Sequence, residues 1–198
     1  VYPVEQLDRV CDWAHEQGLK THLDGARLFN AVVASGRSVR EICRGLDTVS
    51  ICFSKGLGCP MGSVLVGGRD EIARARRARK QFGGALRQAG VVAAAAIYAL
   101  ENNVERLVED HANARRLGEG IAAIDGLEID LATLESNLVF FDVAEELGGA
   151  AGLVAAARKR GLRIGAMYAQ RVRACMHLDV NAADVDRAVQ ILRECVRE

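Results

Sequence analysis

The sequence lacks most of what would mark a specialised surface or compartment. It has no net charge: 26 Lys and Arg balance 26 Asp and Glu over 198 residues. Nothing global therefore draws it to nucleic acid or to an anionic membrane. No two of its six cysteines, at 11, 43, 52, 59, 175 and 195, stand at the close spacing of a zinc knuckle or a redox pair, so no metal site is expected. No signal peptide points to a secreted disulfide framework, and reduced thiols in a cytoplasmic protein are the expectation. The longest apolar stretch, Ala89 to Leu100, is Ala-rich and too short to cross a bilayer; it suits a helix packed closely in a core. There is no internal repeat, no low-complexity segment and no initiator methionine. The start at Val1-Tyr2-Pro3 reads as the middle and end of a longer protein.

What is present is ordinary in bulk and informative in order. Half of the residues are hydrophobic and 26% are charged, enough for a real core in one large domain or a domain and a half. Helical patterning runs from Pro3 through His15 and stops at Gly18. Short strands are expected at Leu19 to Leu23, Thr48 to Phe53 and Ser63 to Gly67, with short helices at Leu28 to Ala34 and Val39 to Cys43 between the first two. Strands alternating with helices at this spacing predict an α/β fold with a largely parallel sheet. Arg69 to Gln81 reads as an arginine-dense helix, and Gln88 to about Gly118 as one long helix or a broken pair. The pattern then changes. Strands at Leu127 to Leu131, Asn137 to Asp142, Arg163 to Ala166 and Arg173 to Leu178, with helices at Ala150 to Arg160 and Ala182 to Val196, predict a small second α+β domain. The expected division is 1–115 and 116–198.

Two segments carry the candidate chemistry. Thr21-His22-Leu23-Asp24-Gly25-Ala26-Arg27 and Ser50-Ile51-Cys52-Phe53-Ser54-Lys55-Gly56-Leu57-Gly58 each read as a strand that delivers charge to a glycine-containing turn. A lysine at a strand end is ordinarily a solvated surface charge. Asp24 and Arg27, taken alone, would be a helix cap and a first-turn residue. Together, at the C-terminal ends of adjacent strands, the three form a site of the kind open α/β sheets favour. An isolated amine, an acid and a guanidinium are also what pyridoxal phosphate chemistry needs. The lysine forms a Schiff base, the acid partners the pyridinium nitrogen, and the arginine holds a carboxylate.

The likeness then extends along the chain. His22-Leu23-Asp24-Gly25-Ala26-Arg27, Ser54-Lys55-Gly56-Leu57-Gly58, Pro60-Met61-Gly62-Ser63 and Gly83-Gly84-Ala85-Leu86-Arg87-Gln88-Ala89-Gly90 resemble the low-specificity L-threonine aldolases. So do Ser136-Asn137-Leu138-Val139-Phe140 and the stretch from Val172-Arg173 to His177-Leu178-Asp179. The resemblance implies a fold-type I pyridoxal phosphate enzyme, of which this chain is the end of the large domain plus a small C-terminal domain. It implies an aldehyde-lyase that cleaves L-threonine or L-allo-threonine to glycine and acetaldehyde, working as a homodimer or homotetramer. Another lyase or a transaminase on the same fold, and a non-catalytic remnant, are the alternatives. Lys55 would be the Schiff-base lysine, Asp24 the partner of the pyridine nitrogen, and Arg27 and Arg173 the grip on the substrate carboxylate. Arg87 and Gln88 would lie in a loop near a site at the subunit interface. The glycine-rich phosphate loop and the histidine stacked on the cofactor ring belong to an N-terminal portion that this sequence does not include.

The remaining candidates have plainer explanations. His22 and His177 could each serve as a ligand or base; a packing group is the plainer expectation for His22, less markedly so for His177, which follows Arg173. Cys52 and Cys59 lie near Lys55 without a histidine placed to activate them, so they are expected to be inert. Arg74, Arg76, Arg77, Arg79 and Lys80 form a basic run without interleaved aromatics, which favours a solvated helix face over a nucleic-acid surface.

Overall fold

A computed structural model describes residues 1–197, which fall into two compact units, Val1–Leu107 and the residues from Val108 on. The first unit opens with α1 (Val4–Glu16), started at Pro3. Its end consumes the N–H groups of Gly18 and Leu19, which return to the carbonyls of His15 and Ala14 at 2.9 and 2.9 Å. Leu19 is thereby committed to the helix end, so β1 runs over His22–Gly25 rather than Leu19 to Leu23. The shift puts Asp24 on the strand itself.

After β1 come α2 (Leu28–Ser35) and α3 (Val39–Ile42), the latter opened by a capping box between Ser38 and Glu41. They form the crossover that a parallel pair requires, and β2 (Thr48–Cys52) returns parallel to β1. Residues 53–62 contain no helix and are too short for a second crossover. β3 (Ser63–Gly67) therefore pairs antiparallel with β2. The expectation of a largely parallel sheet is corrected here: of the five strand pairings among the described residues, only β1 with β2 is parallel. The register sets Asp24 beside Ser50 and Gly25 beside Ile51. Gly25 can only be glycine at this approach, since a Cβ there would lie 2.7 Å from the Ser50 carbonyl oxygen.

One face of β1 and β2 presents Leu23, Val49 and Ile51 to Leu28 and Ile42. By alternation His22, Asp24 and Ser50 belong to the other face. α4 (Arg69–Gln81) buries no residue along its length. The long helical stretch is a broken pair, α5 (Gly90–Asn102) and α6 (Leu107–Ala122).

In the second unit α6 precedes an antiparallel sheet of order β4-β5-β7-β6, built from β4 (Leu127–Glu128), β5 (Leu138–Val143), β6 (Gly165–Ala166) and β7 (Arg171–Cys175). α7 (Gly149–Lys159) lies between β5 and β6, and α8 (Ala182–Val196) closes the chain behind an Asn181 capping box with Asp184. Val139, Phe141, Val143, Val172 and Ala174 form one sheet face, packed with Leu117, Ile121, Leu153, Val185 and Leu192. Burial on the order of 1.5–3 kcal/mol per large side chain makes this the main stabilising element of the unit. The sequence placed the change of domain at 116. All of α6 after Leu107 groups with the second unit, because Ala114, Leu117 and Ile121 lie in its core. β7 begins two residues earlier than expected, at Arg171, whose guanidinium grips Asp142 across the strand pair.

Candidate active site

Lys55 sits three residues beyond β2, in a turn built so that alternate parts point in opposite directions. Phe53, Leu57 and Cys59 are buried against Ala96, Ala99 and Leu107, whereas Ser54 and Lys55 are exposed. The hydrophobic residues anchor the loop from below and leave the amine in solvent. Backbone bonds then close it: Gly58 N–H to the Lys55 carbonyl (2.8 Å), Cys59 N–H to Phe53 (3.0 Å) and Phe53 N–H to Gly62 (3.0 Å). Two asparagines outside the loop complete the support. Asn103, capping the end of α5, donates its Nδ2 to the Leu57 carbonyl at 2.8 Å. Buried Asn30, on α2, flanks Gly56, where a Cβ would meet Leu107 Cδ2 at 2.9 Å and Asn30 Oδ1 at 3.2 Å. Sequence reasoning did not single out either asparagine. The signal was available only in part, as a polar residue just past the alanine-rich helix.

Asp24 is exposed at the end of β1, where Oδ1 accepts the Ala26 N–H at 3.1 Å. The plain explanation for it, a helix cap, does not hold. The residue that caps α2 is Arg27, and it does so without a side-chain hydrogen bond. Arg27 is half-buried. Among the described residues neither Asp24, Arg27 nor Lys55 has an ion pair. Because β1 and β2 are parallel and adjacent, Asp24, near the end of β1, and Arg27 and Lys55, just past β1 and β2, all lie toward the same, C-terminal end of that pair.

At the other end every charge is answered. The Asp47 carboxylate accepts from Lys20 Nζ (2.8 Å), the Thr21 N–H (2.8 Å) and Thr21 Oγ1 (3.0 Å), with His15 Nε2 also 3.0 Å away. The Lys20 ammonium, then the Thr21 N–H and His15, hold the Asp47 carboxyl well below the usual range. Asp47 in turn holds the Lys20 amine above its ordinary value.

Arg173 lies in the second unit, exposed on β7 opposite Phe140, on the sheet face away from the core. Its neighbour Arg171 is paired to Asp142; Arg173 has no such partner among the described residues. Arg87 and Gln88 are exposed in the turn that leads into α5. The remaining candidates have local roles. His22 Nδ1 is 2.9 Å from Thr48 Oγ1 across the strand pair, and the Asp179 N–H donates to His177 Nδ1 at 3.3 Å. Burial raises the Cys59 thiol, which donates to the Ala95 carbonyl, so it is no ready nucleophile. Arg74, Arg76, Arg77, Arg79 and Lys80 are all exposed on α4.

Residues 1–145 match the family described as beta-eliminating lyase. The chain belongs to that family. It is 46% identical over 181 residues to the low specificity L-threonine aldolase of Escherichia coli K12, covering 91% of this chain and 52% of that protein. It is also 40% identical over 151 residues to an alanine racemase of Cochliobolus carbonum, over 72% of this chain and 38% of the racemase. Among solved structures, the threonine aldolase of Leishmania major superposes with a TM-score of 0.79 at 21% identity, over 98% of this chain and 57% of that one. This establishes the fold, the α/β fold of threonine aldolases. The chain spans about half the length of the curated relatives it matches.

For a lyase of this family the implied group is pyridoxal phosphate, and the donor set beyond β1 and β2 fits part of it. A solvent-facing primary amine without an ionic partner is free to condense with an aldehyde. A carboxylate with only a local backbone bond is free to receive a pyridinium N–H. No helix among the described residues is long and apolar enough to cross a membrane.

Proposed function

We propose that the protein to which this chain belongs is a pyridoxal phosphate-dependent aldehyde-lyase that cleaves L-threonine or L-allo-threonine to glycine and acetaldehyde. The observation that carries this reading is that Lys55, Asp24 and Arg27, without ion pairs among the described residues, gather at the C-terminal end of a parallel strand pair whose other end is tied up around Asp47. Lys55 would hold the cofactor through its aldehyde carbon, and Asp24 would keep the ring nitrogen protonated. Arg27 and Arg173 would bind the substrate carboxylate, and a bidentate grip would fix the bond to be broken in a productive orientation. When bound, the cofactor supplies the sink for the electron pair left when Cα–Cβ breaks. The β-hydroxyl loses its proton as acetaldehyde departs, and Cα takes one up to give glycine. The similarity to the Escherichia coli aldolase, longer and closer than that to the racemase, supports cleavage over racemisation. The apolar side chains that α5 leaves exposed, Val91, Ile97 and Tyr98 among them, support the homodimer or homotetramer.

The test is product analysis on the full-length protein and its Lys55→Ala variant. Acetaldehyde and glycine from threonine, lost in the variant, are the expected result. Cleavage at the normal rate by Lys55→Ala overturns the assignment. Ammonia release would signal β-elimination instead, and a D-amino acid would signal racemisation.

A further inference from the structure

The outer face of the second unit's sheet carries two arginines of one strand with opposite fates. Arg171 and Arg173 are two residues apart on β7, so by alternation both belong to the face away from the core. On that face β5 contributes Leu138, Phe140 and Asp142. The register sets Arg171 opposite Asp142 and Arg173 opposite Phe140. Arg171 meets Asp142 as a two-point fork, with Nε donating to Oδ1 at 2.9 Å and Nη2 donating to Oδ2. The Arg173 guanidinium has neither an ion pair nor a hydrogen bond among the described residues.

The ladder explains why Arg173 stays free. Its cross-strand partners are Phe140 on β5 and Gly165 on β6, and neither side chain offers an acceptor. The β5 residues diagonal to it are Leu138 and Asp142. Diagonal neighbours on one face of an antiparallel pair stand about 7–8 Å apart, within reach of a long side chain. Asp142 is therefore the β5 carboxylate within reach of Arg173, and Arg171 occupies both of its oxygens. The same fork holds the Asp142 carboxyl below its ordinary value, so it is ionised near neutral pH. Glu128, opposite Asp142 on β4, offers it no alternative cation. Both members of the Arg171–Asp142 pair are partly exposed, and an exposed pair of this kind adds little to stability. Its larger consequence is for Arg173.

We propose that Arg171 is a positioning residue that sequesters Asp142 and so leaves Arg173 free to receive the carboxylate of an amino-acid substrate. The inference rests on the role given to Arg173 under the proposed function. Without Arg171, Asp142 turns to the next guanidinium on the strand and neutralises it. A substrate carboxylate must then displace Asp142 before it can bind. The bond-breaking step at the lysine turn does not involve this pair, so the loss falls on substrate capture and not on the chemistry that follows.

Two measurements on the full-length protein test this, one of them independent of any reaction. Phenylglyoxal modifies guanidinium groups that are not held in ion pairs, and peptide mass spectrometry reads its rate at each arginine. In the wild type Arg173 is expected to be modified faster than Arg171. In Arg171→Leu the rate at Arg173 is expected to fall about five-fold, the equilibrium worth of a well-formed exposed ion pair. The double variant R171L/D142N is expected to restore it, and Arg171→Lys, which keeps a cation on Asp142, to leave it near the wild-type rate. Steady-state kinetics with L-threonine should follow the same order, with KM raised about five-fold in Arg171→Leu at unchanged kcat and recovered in the double variant. A rate at Arg173 that Arg171→Leu leaves unchanged overturns the proposal, as does a loss that R171L/D142N fails to restore. A fall in kcat alone also overturns it, because that is the mark of a structural defect. Labelling that follows the expected order while KM stays fixed supports the sequestration of Asp142 and overturns the substrate role of Arg173 instead. If the protein does not cleave threonine, the labelling decides alone.

Discussion

The two ends of the β1–β2 pair have similar inventories and opposite organisation. At the N-terminal end a carboxylate, an ammonium and an imidazole close on one another around Asp47, together with a hydroxyl and a backbone N–H. At the C-terminal end a carboxylate, an ammonium and a guanidinium stand without ion pairs among the described residues. The second unit repeats the contrast on one strand, where Arg171 is locked to Asp142 and Arg173 is not. A charge that only stabilises a fold gains by finding its partner within it. A charge kept for a ligand must not, and the fold forgoes that stabilisation. At this strand pair, the charges left unanswered are the ones that the proposed function uses.

The largest test of that contrast is selective labelling. Treatment with pyridoxal phosphate followed by borohydride should modify Lys55 in preference to Lys20, because Asp47 holds the Lys20 amine protonated and only the neutral amine reacts. Peptide mass spectrometry reads the ratio. Equal labelling would erase the distinction between the two ends, and Asp47→Asn should raise labelling at Lys20 alone.

Next in size is Gly25→Ala. A methyl group 2.7 Å from the Ser50 carbonyl forces the strands apart, at a cost of about 3 kcal/mol in denaturant unfolding. A neutral result would mean that the close approach of β1 and β2 does not set the open end. Asn103→Leu should cost about 2 kcal/mol by leaving the Leu57 carbonyl unsatisfied. It should also slow labelling at Lys55 while leaving Lys20 unaffected, which a general loss of stability would not do.

The smallest effect is a pH dependence that shows in acid. Asp47 is held below its ordinary value in the folded state, so unfolding takes up a proton once the pH falls below about 4. The stabilisation is complete above that value and is lost progressively as the pH drops further. Thermal melts of Asp47→Asn should be lower than wild type near neutral pH and should flatten between pH 4 and pH 2. An unchanged acid slope would show that the knot at this end contributes nothing.

Much of the site was legible because its residue types are local. Asp24, Arg27 and Lys55 each stand at a glycine-bearing turn within a few residues of a strand, and such turns are written in short stretches of sequence. The exact strand limits were not. Leu19 reads as strand by its apolarity, yet its N–H is consumed by the end of α1, a hydrogen bond that sequence pattern does not register. The antiparallel return of β3 was hidden for a related reason: alternation of strands with helices suggests crossovers, and only the lack of a helix in residues 53–62 forbids one. Asn30 and Asn103 escaped notice because an asparagine acquires a role only from what folding places beside it.

The sequence by itself determined the kinds of chemistry available, the order of helices and strands, and the family. Those depend on residue identity and short spacing. Tertiary structure alone decided that β3 returns antiparallel while β1 and β2 stay parallel, and it set the register that puts Asp24 beside Ser50. It also decided which charges were neutralised on the way. Pairing depends on distances between residues far apart in the chain, and only the packed fold sets those distances.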